Sequence, residues 1–340
     1  MRLAFRQHVP RAKRALSSTL ALFLLLPILA GLTGCDNRAE GEALAKTGAA
    51  AADTLAKYYD SLIQDTIDTW EFEAFNVSIR NSMAAAAAGG AAPQHPITFD
   101  AREQDLLQKR LDALNARAKL ARRLVTTYNA LKDLSTFDAS GAVKSSAEAL
   151  ATEITGLTSL PQAGINPSTL FGMVASDIAG WKQSRDIRKG SKILLSIVEG
   201  LTKLVDAEKD VYKSITEERG NKAIIVAQYL IENKMVLALP LLQKVPDSLG
   251  IKLAGADKPV IDAPTIAGLM EMIRVRMLRM ATLSAGAADS MSAGLADLAT
   301  AHQELQAKRG LSLDGVLAAV ARAQAYVDEI NKLREAKKSE

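Results

Sequence analysis

Proline divides this chain into long stretches that carry the apolar period of a helix. Residues 97–160, 168–239 and 265–340 contain no proline, a residue that lacks the N–H needed inside a helix. Within them, apolar residues recur at alternating steps of three and four, which is the spacing of one helical face. Alternation with a period of two never extends beyond a few residues. The sequence therefore predicts an all-α protein.

Two apolar series are long enough to predict rod-like helices. One runs from Leu107 to Tyr128 and the other from Ile266 to Leu305. The second series corresponds to a helix of about 58 Å at about 1.5 Å per residue. We predict an elongated multi-helix bundle with long coiled-coil-like helices. Its predicted inward-facing side chains are Leu111, Leu114, Val125, Ile273, Met277, Leu298, Val316 and Val320.

The pattern also predicts where helices begin and which segments link them. Asp100, with Glu103 three residues later, has the spacing of a cap at a helix N-terminus. Mobile links are expected at 84–98, which is rich in alanine and glycine, and at 240–264, which contains four prolines. Residues 221–239 are apolar on nearly all sides, which predicts a helix buried in the middle of the bundle.

The first 35 residues carry the pattern of an exported protein. A basic start without acidic residues precedes an apolar segment, Leu20–Ala30, and the run Leu32-Thr33-Gly34-Cys35 follows it. The apolar segment is shorter than the ~20 residues that cross a bilayer as a helix. The pattern resembles the signal of bacterial lipoproteins. That resemblance implies cleavage before Cys35, diacylglycerol on its thiol and acylation of the new amine. The basic residues are Arg2, Arg6, Arg11, Lys13 and Arg14.

The same resemblance suggests how the chain is divided into segments and where in the cell it is located. Residues 1–34 would be the cleaved signal peptide, 35–52 an acylated tether and 53–340 the helical bundle domain. Asp36 and Asn37 follow the cysteine, and an acidic residue there resembles the signal that retains lipoproteins in the inner membrane. We expect the periplasmic face of the inner membrane, with the inner leaflet of the outer membrane as the alternative.

Charge and cysteine content narrow the possible partners. Residues 1–34 hold five basic residues and no acid, so their removal leaves 37 Lys and Arg against 38 Asp and Glu. Nucleic-acid binding needs a surplus of basic residues, so nucleic acid is not an expected partner. Cys35 is the only cysteine, and its acylation leaves no thiol for a disulfide.

Residues that carry enzyme chemistry are sparse. After cleavage the histidines are His95 and His302, neither with a partner at a recognisable spacing. Asp68, Glu71 and Glu73 could form a pair of carboxylates for glycosidic-bond cleavage, but we interpret them as the outer face of a helix. Phosphate-binding glycine motifs are absent from the sequence. We predict no cofactor and no catalytic activity.

Methionine is concentrated in the second apolar series. The cluster comprises Met270, Met272, Met277, Met280 and Met291. Thioethers can bind Cu(I), which makes Met270, Met277 and Met280 weak candidate metal ligands. Since four of the five methionines follow the helical seam, core packing is the favoured interpretation.

Aromatic residues are concentrated soon after the predicted anchor. Tyr58, Trp70, Phe72 and Phe75 are candidates for a partner-binding surface, with packing under the bundle as the alternative. Trp70 and Phe72 point about 160° apart on a helix at ~100° per residue, so the two cannot share one face.

These observations favour a membrane-anchored, non-enzymatic interaction or scaffold protein of the cell envelope. Its partners would be the membrane, through the lipid anchor, and another envelope protein. One alternative is a periplasmic ligand or metal carrier that uses the methionine-rich helix. A second alternative is a membrane-active or immunity-type helical protein, for which residues 223–239 are the candidate membrane-seeking segment.

Overall fold

The computed structural model describes residues 18–89, 100–136, 140–171, 187–233, 262–307 and 309–334, with residues 18–38 described by their backbone only. These residues form seven helices and no strand, which confirms the all-α multi-helix bundle. In chain order the helices are α1 Ser18–Ala87, α2 Ala101–Thr136, α3 Ser140–Thr155, α4 Pro167–Leu170, α5 Ile187–Glu232, α6 Ala263–Gln306 and α7 Asp314–Arg334.

Five long helices make the body of the bundle, and their order follows from their contacts. Helix α1 packs along α2, α5 packs along α6, and α6 packs along α7. Helix α1 also touches α5, α6 and α7, so it is the central helix. The 46 residues of α5 correspond to about 69 Å at about 1.5 Å per residue. The predicted rods are therefore present.

Side chains fix the starts of two long helices. The Asp100 carboxylate accepts a hydrogen bond from the Arg102 backbone N–H at 2.9 Å, ahead of the first turn of α2. The Asp262 carboxylate likewise accepts from the Thr265 N–H at 3.0 Å, ahead of α6. Each carboxylate satisfies a backbone donor that the first turn of a helix leaves free. The predicted cap at Asp100 is confirmed.

Most of the predicted inward-facing side chains lie in the core. The buried face of α2, however, is rotated relative to the predicted one. Leu114, Leu298 and Val316 are completely buried, Ile273 is nearly so, and Leu111, Val125, Met277 and Val320 are half-buried. The face that α2 turns inward also includes Arg110 and Arg117. The apolar periodicity misses these two positions because they are charged residues whose carboxylate partners, Glu208 for Arg117 and Glu218 for Arg110, lie on another helix.

The N-terminal part of the predicted bundle differs from its expected boundaries. Residues 44–52, assigned to the tether, lie within α1, where Leu44, Ala51 and Ala52 are buried in the core. Of the predicted link at 84–98, residues 84–87 end α1 and residues 90–98 lie outside the described part. Most of the link at 240–264 also lies outside it, and α6 already begins at Ala263. Among the described helices, none holds an apolar stretch long enough to cross a bilayer.

The prediction for residues 221–239 is wrong over the part that the structure describes. Residues 221–232 form the end of α5 and residue 233 follows it; among these residues Ile231 alone is buried, and Ile225 is 52% exposed. At this end of the bundle, α5 lies between the end of α1 and the start of α6, so only part of its circumference is covered. We call residues 70–87, 217–233 and 262–281 together the distal end.

Candidate partner-binding site

The four aromatic candidates are divided between the core and the distal end. Tyr58 is completely buried, and its hydroxyl donates to the Ser284 carbonyl at 3.1 Å, so it offers no surface to a partner. Trp70, Phe72 and Phe75 are half-buried near the end of α1. The Phe75 ring meets Tyr229 of α5 edge-on, with centroids 6.1 Å apart. Three of the four candidates therefore lie where α1 leaves the closely packed core.

Arg219 holds the three distal helix segments together. Its Nε lies 2.6 Å from the Asp68 carboxylate and 3.3 Å from that of Asp65, both on α1. The same guanidinium lies over the Phe72 ring at 5.7 Å. On the other side, Nη1 is 3.8 Å from the sulfurs of Met277 and Met280 on α6. Sequence reasoning missed Arg219, because its partners are far away in the chain.

The acidic run on α1 is not simply a solvated outer face. Glu71 is exposed, but Asp68 binds Arg219, and Glu73 forms ion pairs with Lys222 of α5 and with Arg80 of α1. These contacts link the last turns of α1 to α5. They also occupy the carboxylates of Asp68 and Glu73 with cations.

A cleft of about 180 Å³ lies between α1 and α5 at the distal end. We call it the α1–α5 cleft. The α5 lining residues are three, four or seven positions apart and so share one face, whereas the α1 lining also includes two adjacent residues, Ile79 and Arg80. Asn76 lies at the cleft and is only 7% exposed, yet its side-chain Nδ2 has no hydrogen-bond partner among the described residues. The lining residues are Glu73, Asn76, Ile79, Arg80, Lys222, Ile225 and Tyr229.

A second cleft, of about 260 Å³, lies on the other side of α5 against α6. Gly220, Ile224 and Met277 are among its lining residues. Around the two clefts, Ile225, Val275 and Leu278 are each more than half exposed. Exposed apolar side chains concentrated in one region are typical of a binding surface. The distal end thus combines apolar exposure with unfilled grooves.

The candidate metal ligands are placed against a positive charge or inside apolar packing. The sulfurs of Met277 and Met280 both contact the Arg219 guanidinium, which repels a metal cation. Met270 packs with Leu269 and Ile273. Within the described ranges, no group of three or more His, Cys, Asp or Glu side chains is placed to hold a metal ion.

A buried polar network in the bundle centre was missed at the sequence level. The Arg117 guanidinium of α2 pairs with Glu208 of α5, and both side chains are completely buried. Tyr212 donates to Glu208 at 2.5 Å, and its hydroxyl lies 3.3 Å from that of Tyr59. Burial lowers the pKa of Arg117, but the hydrogen bonds and charge of Glu208 outweigh this effect and hold that pKa above its usual value. The network pairs its buried charges and joins α1, α2 and α5 in the bundle centre.

His302 belongs to another buried polar cluster. Its Nε2 lies 2.7 Å from the Tyr128 hydroxyl and its Nδ1 lies 2.9 Å from the Ser191 hydroxyl. Burial lowers the pKa of His302 to about 3, so the ring is neutral near pH 7. A serine and a histidine in contact are the groups of a nucleophilic pair, but all three side chains have no exposed surface for a substrate to reach. His95 lies outside the described residues.

The predicted lipidation and sorting residues lie on the first half of α1. The helix backbone runs through Cys35, Asp36 and Asn37, whose side chains lie outside the described set. Comparisons with protein-family models, curated proteins and solved structures find no match to this chain.

Proposed function

We propose that the protein is a lipid-anchored, non-enzymatic interaction protein of the bacterial cell envelope that binds a protein partner at its distal end. The observation that carries this proposal is the α1–α5 cleft with its exposed rim. Ile79, Ile225 and Tyr229 give it apolar surface, and Arg80, Lys222 and Glu73 give it charges. An apolar centre with a polar rim is the usual composition of a protein interface.

The anchor and the cleft lie far apart on one helix. Helix α1 is continuous from Ser18 to Ala87 and includes both Cys35 and Asn76. The two positions are separated by about 60 Å along the helix at about 1.5 Å per residue. An acylated Cys35 would fix one end of the bundle at a membrane and leave the distal end free for a partner. The resemblance of Leu32-Thr33-Gly34-Cys35 to a lipoprotein signal supports the anchor.

In vivo photocrosslinking tests the proposal. A photoreactive amino acid is placed at Ile79 or Ile225, which line the cleft, and at Lys203 of α5 as an exposed control. Positions 79 and 225 should each trap the same discrete envelope protein, and position 203 should not. Failure to trap a protein from either cleft position would overturn the proposal.

The membrane-active alternative makes a different prediction for the same apolar residues. Ile224, Ile225 and Tyr229 would enter a bilayer instead of contacting a protein. Dye-loaded vesicles of phosphatidylethanolamine and phosphatidylglycerol distinguish the membrane-active function from the partner-binding function. Rapid dye release by the purified protein, abolished by Ile225→Glu, would favour the membrane-active function over the proposed one.

A further inference from the structure

The α1–α5 cleft has a shape that suits a helix. Its floor is formed by two neighbouring helices, with Asn76, Ile79 and Arg80 on α1 and Lys222, Ile225 and Tyr229 on α5. A groove between two helices is completed by a third helix, which is a recurring way of recognising amphipathic segments. At about 180 Å³ the cleft lies below the range of roughly 300–1,000 Å³ that is usual for small-molecule sites. It suits one or two side chains of a larger partner.

The charges of the cleft favour an acidic occupant. Glu73 accepts hydrogen bonds from both Arg80 and Lys222, so one carboxylate is shared by two cations and one positive charge is left over. Arg80 is 69% exposed and lies at the rim, where it can bind a second carboxylate. Paired arginine and carboxylate groups form charge-assisted hydrogen bonds, which are stronger than neutral ones.

Asn76 supplies an independent indication of a ligand. It is more than nine-tenths buried, and its Nδ2 has no hydrogen-bond partner among the described residues. A buried donor without a partner is costly, and such groups are rare in folded proteins. An acceptor oxygen brought by a ligand would satisfy it. Asn76 lines the cleft together with apolar residues and two cations, so an amphipathic ligand in the cleft could place a polar atom against it.

We propose that the α1–α5 cleft binds an acidic amphipathic helix of the partner protein. The helix places an apolar side chain against Ile79, Ile225 and Tyr229, and a carboxylate against Arg80 and the Asn76 amide. This inference rests on the proposed function, because it names the chemistry of the partner segment that the distal end recognises.

Selection of peptides tests the chemistry directly. Full-length protein purified in mild detergent is exposed to a library of random peptides displayed on phage. Enriched peptides should share apolar residues at helical spacing together with Asp or Glu, and should bind with micromolar or better affinity. Arg80→Glu should weaken their binding about tenfold or more, whereas Arg80→Lys should keep most of it.

A matched control excludes a general effect of charge. Arg122 is also an exposed arginine in an ion pair, with Asp60, and it lies far from the cleft. Arg122→Glu should leave peptide binding unchanged. Enrichment of basic peptides, no enrichment at all, or equal binding to the Arg80→Glu and Arg122→Glu variants would each overturn the acidic-helix inference.

Crosslinking distinguishes failure of this inference from failure of the proposed function. A photoreactive residue at Ile79 that traps an envelope protein equally well in the Arg80→Glu variant would overturn the acidic helix and keep the partner-binding function. An adduct of the protein with itself would make a second copy the occupant and overturn the inference. Absence of any adduct from positions 79 and 225 would overturn both.

Discussion

Arg117 and Glu208 form an ion pair between α2 and α5 in which both side chains are completely buried. Arg117 Nε donates to Glu208 Oε2 at 2.7 Å, and Arg117 Nη1 donates to the Ala113 carbonyl at 2.7 Å. Arg117 Nη2 also donates to the Glu208 carboxylate, and the Tyr212 hydroxyl is its third donor. A charge removed from water is expensive unless its partners are retained, so this pair ties α2 to one position on α5.

Removal of one partner of this pair should be more damaging than removal of both. Arg117→Met leaves the Glu208 carboxylate buried without its cation, and should lower the free energy of unfolding by about 3–5 kcal/mol. The double variant Arg117→Met with Glu208→Leu should lose clearly less. Urea unfolding followed by circular dichroism measures both. A double variant as unstable as the single one would show that the charge itself is not the cause.

An exposed ion pair provides the comparison. Arg122 binds Asp60, and each side chain is about half exposed. Arg122→Ala should change the free energy of unfolding by less than about 1 kcal/mol, because water screens such pairs.

The close approach of Gly48 to Tyr128 makes a second prediction. A Cβ built on Gly48 would lie 2.3 Å from Tyr128 Cε1, so α1 can meet that ring only where it has no side chain. Gly48→Ala should lower the free energy of unfolding by about 1–3 kcal/mol through overpacking. It should also displace the Tyr128 hydroxyl from His302.

Gly268 is a matched control on α6. A Cβ there would meet nothing within 4 Å, so alanine fits. Gly268→Ala should raise the free energy of unfolding by about 0.5–1 kcal/mol, since alanine is the better helix former. Equal destabilisation by both substitutions would contradict the packing argument.

The sequence was sufficient for the fold class and for much of the seam, but not for the charged contacts inside the bundle. Proline spacing and apolar periodicity predicted the long helices, because both depend on neighbours within a few turns. Arg117, Arg219 and Glu208 are buried by partners that lie many residues away in the chain. A periodicity of apolar residues places such side chains outside the core.

The candidate site, like the fold, could be predicted from the sequence only in part. Phe72 and Phe75 are candidates because aromatic residues are concentrated soon after the predicted anchor, and both lie at the distal end. Tyr58 was selected with them and is in the core, since composition alone does not reveal which face meets α5 and α6. Asn76 was missed, because an unpartnered amide is visible only after the helices are packed.

Burial of His302 makes stability depend on pH in a defined direction. The pKa of His302 falls from 6.5 to about 3 on folding, so the unfolded chain binds one more proton between these two values. The stability contributed by the neutral ring is therefore complete above pH 6.5 and is lost as the pH falls. The free energy of unfolding should decrease by up to about 1.4 kcal/mol per pH unit below that point.

Urea unfolding between about pH 7 and pH 5 measures this slope before most carboxylates titrate. His302→Gln keeps an amide near Tyr128 and Ser191 but does not titrate, so its stability should vary much less over that interval. A slope equal to that of the unmodified protein would assign the pH dependence to other groups.

Lipidation is tested at Cys35. Cys35→Ser removes the thiol, so metabolic labelling with palmitate should be lost and the precursor should stay uncleaved by the lipoprotein peptidase. Asp36→Ser should keep the label and move the protein from the inner to the outer membrane fraction. Undiminished labelling of the Cys35→Ser variant would contradict the anchor, and an unmoved Asp36→Ser variant would contradict the sorting role alone.

Asn76 should be a residue at which stability and binding oppose each other. Its Nδ2 is a buried donor without a partner among the described residues, so Asn76→Leu removes an unfavourable group and adds an apolar side chain beside Ile79 and Ile225. The free energy of unfolding should rise by about 1 kcal/mol, while affinity for the peptides selected on the cleft should fall about tenfold. Denaturation and peptide titration on the same preparation measure the two quantities.

Asn129 is the control for this substitution. It lies exposed on α2, so Asn129→Leu should change neither stability nor peptide binding appreciably. A purely structural asparagine would lose stability on replacement by leucine, because its hydrogen bonds would be broken. A destabilised Asn76→Leu variant would therefore show that the amide is already satisfied in the folded chain and would remove it from the recognition site. A stabilised variant that binds its peptides unchanged would show that the ligand does not reach the amide.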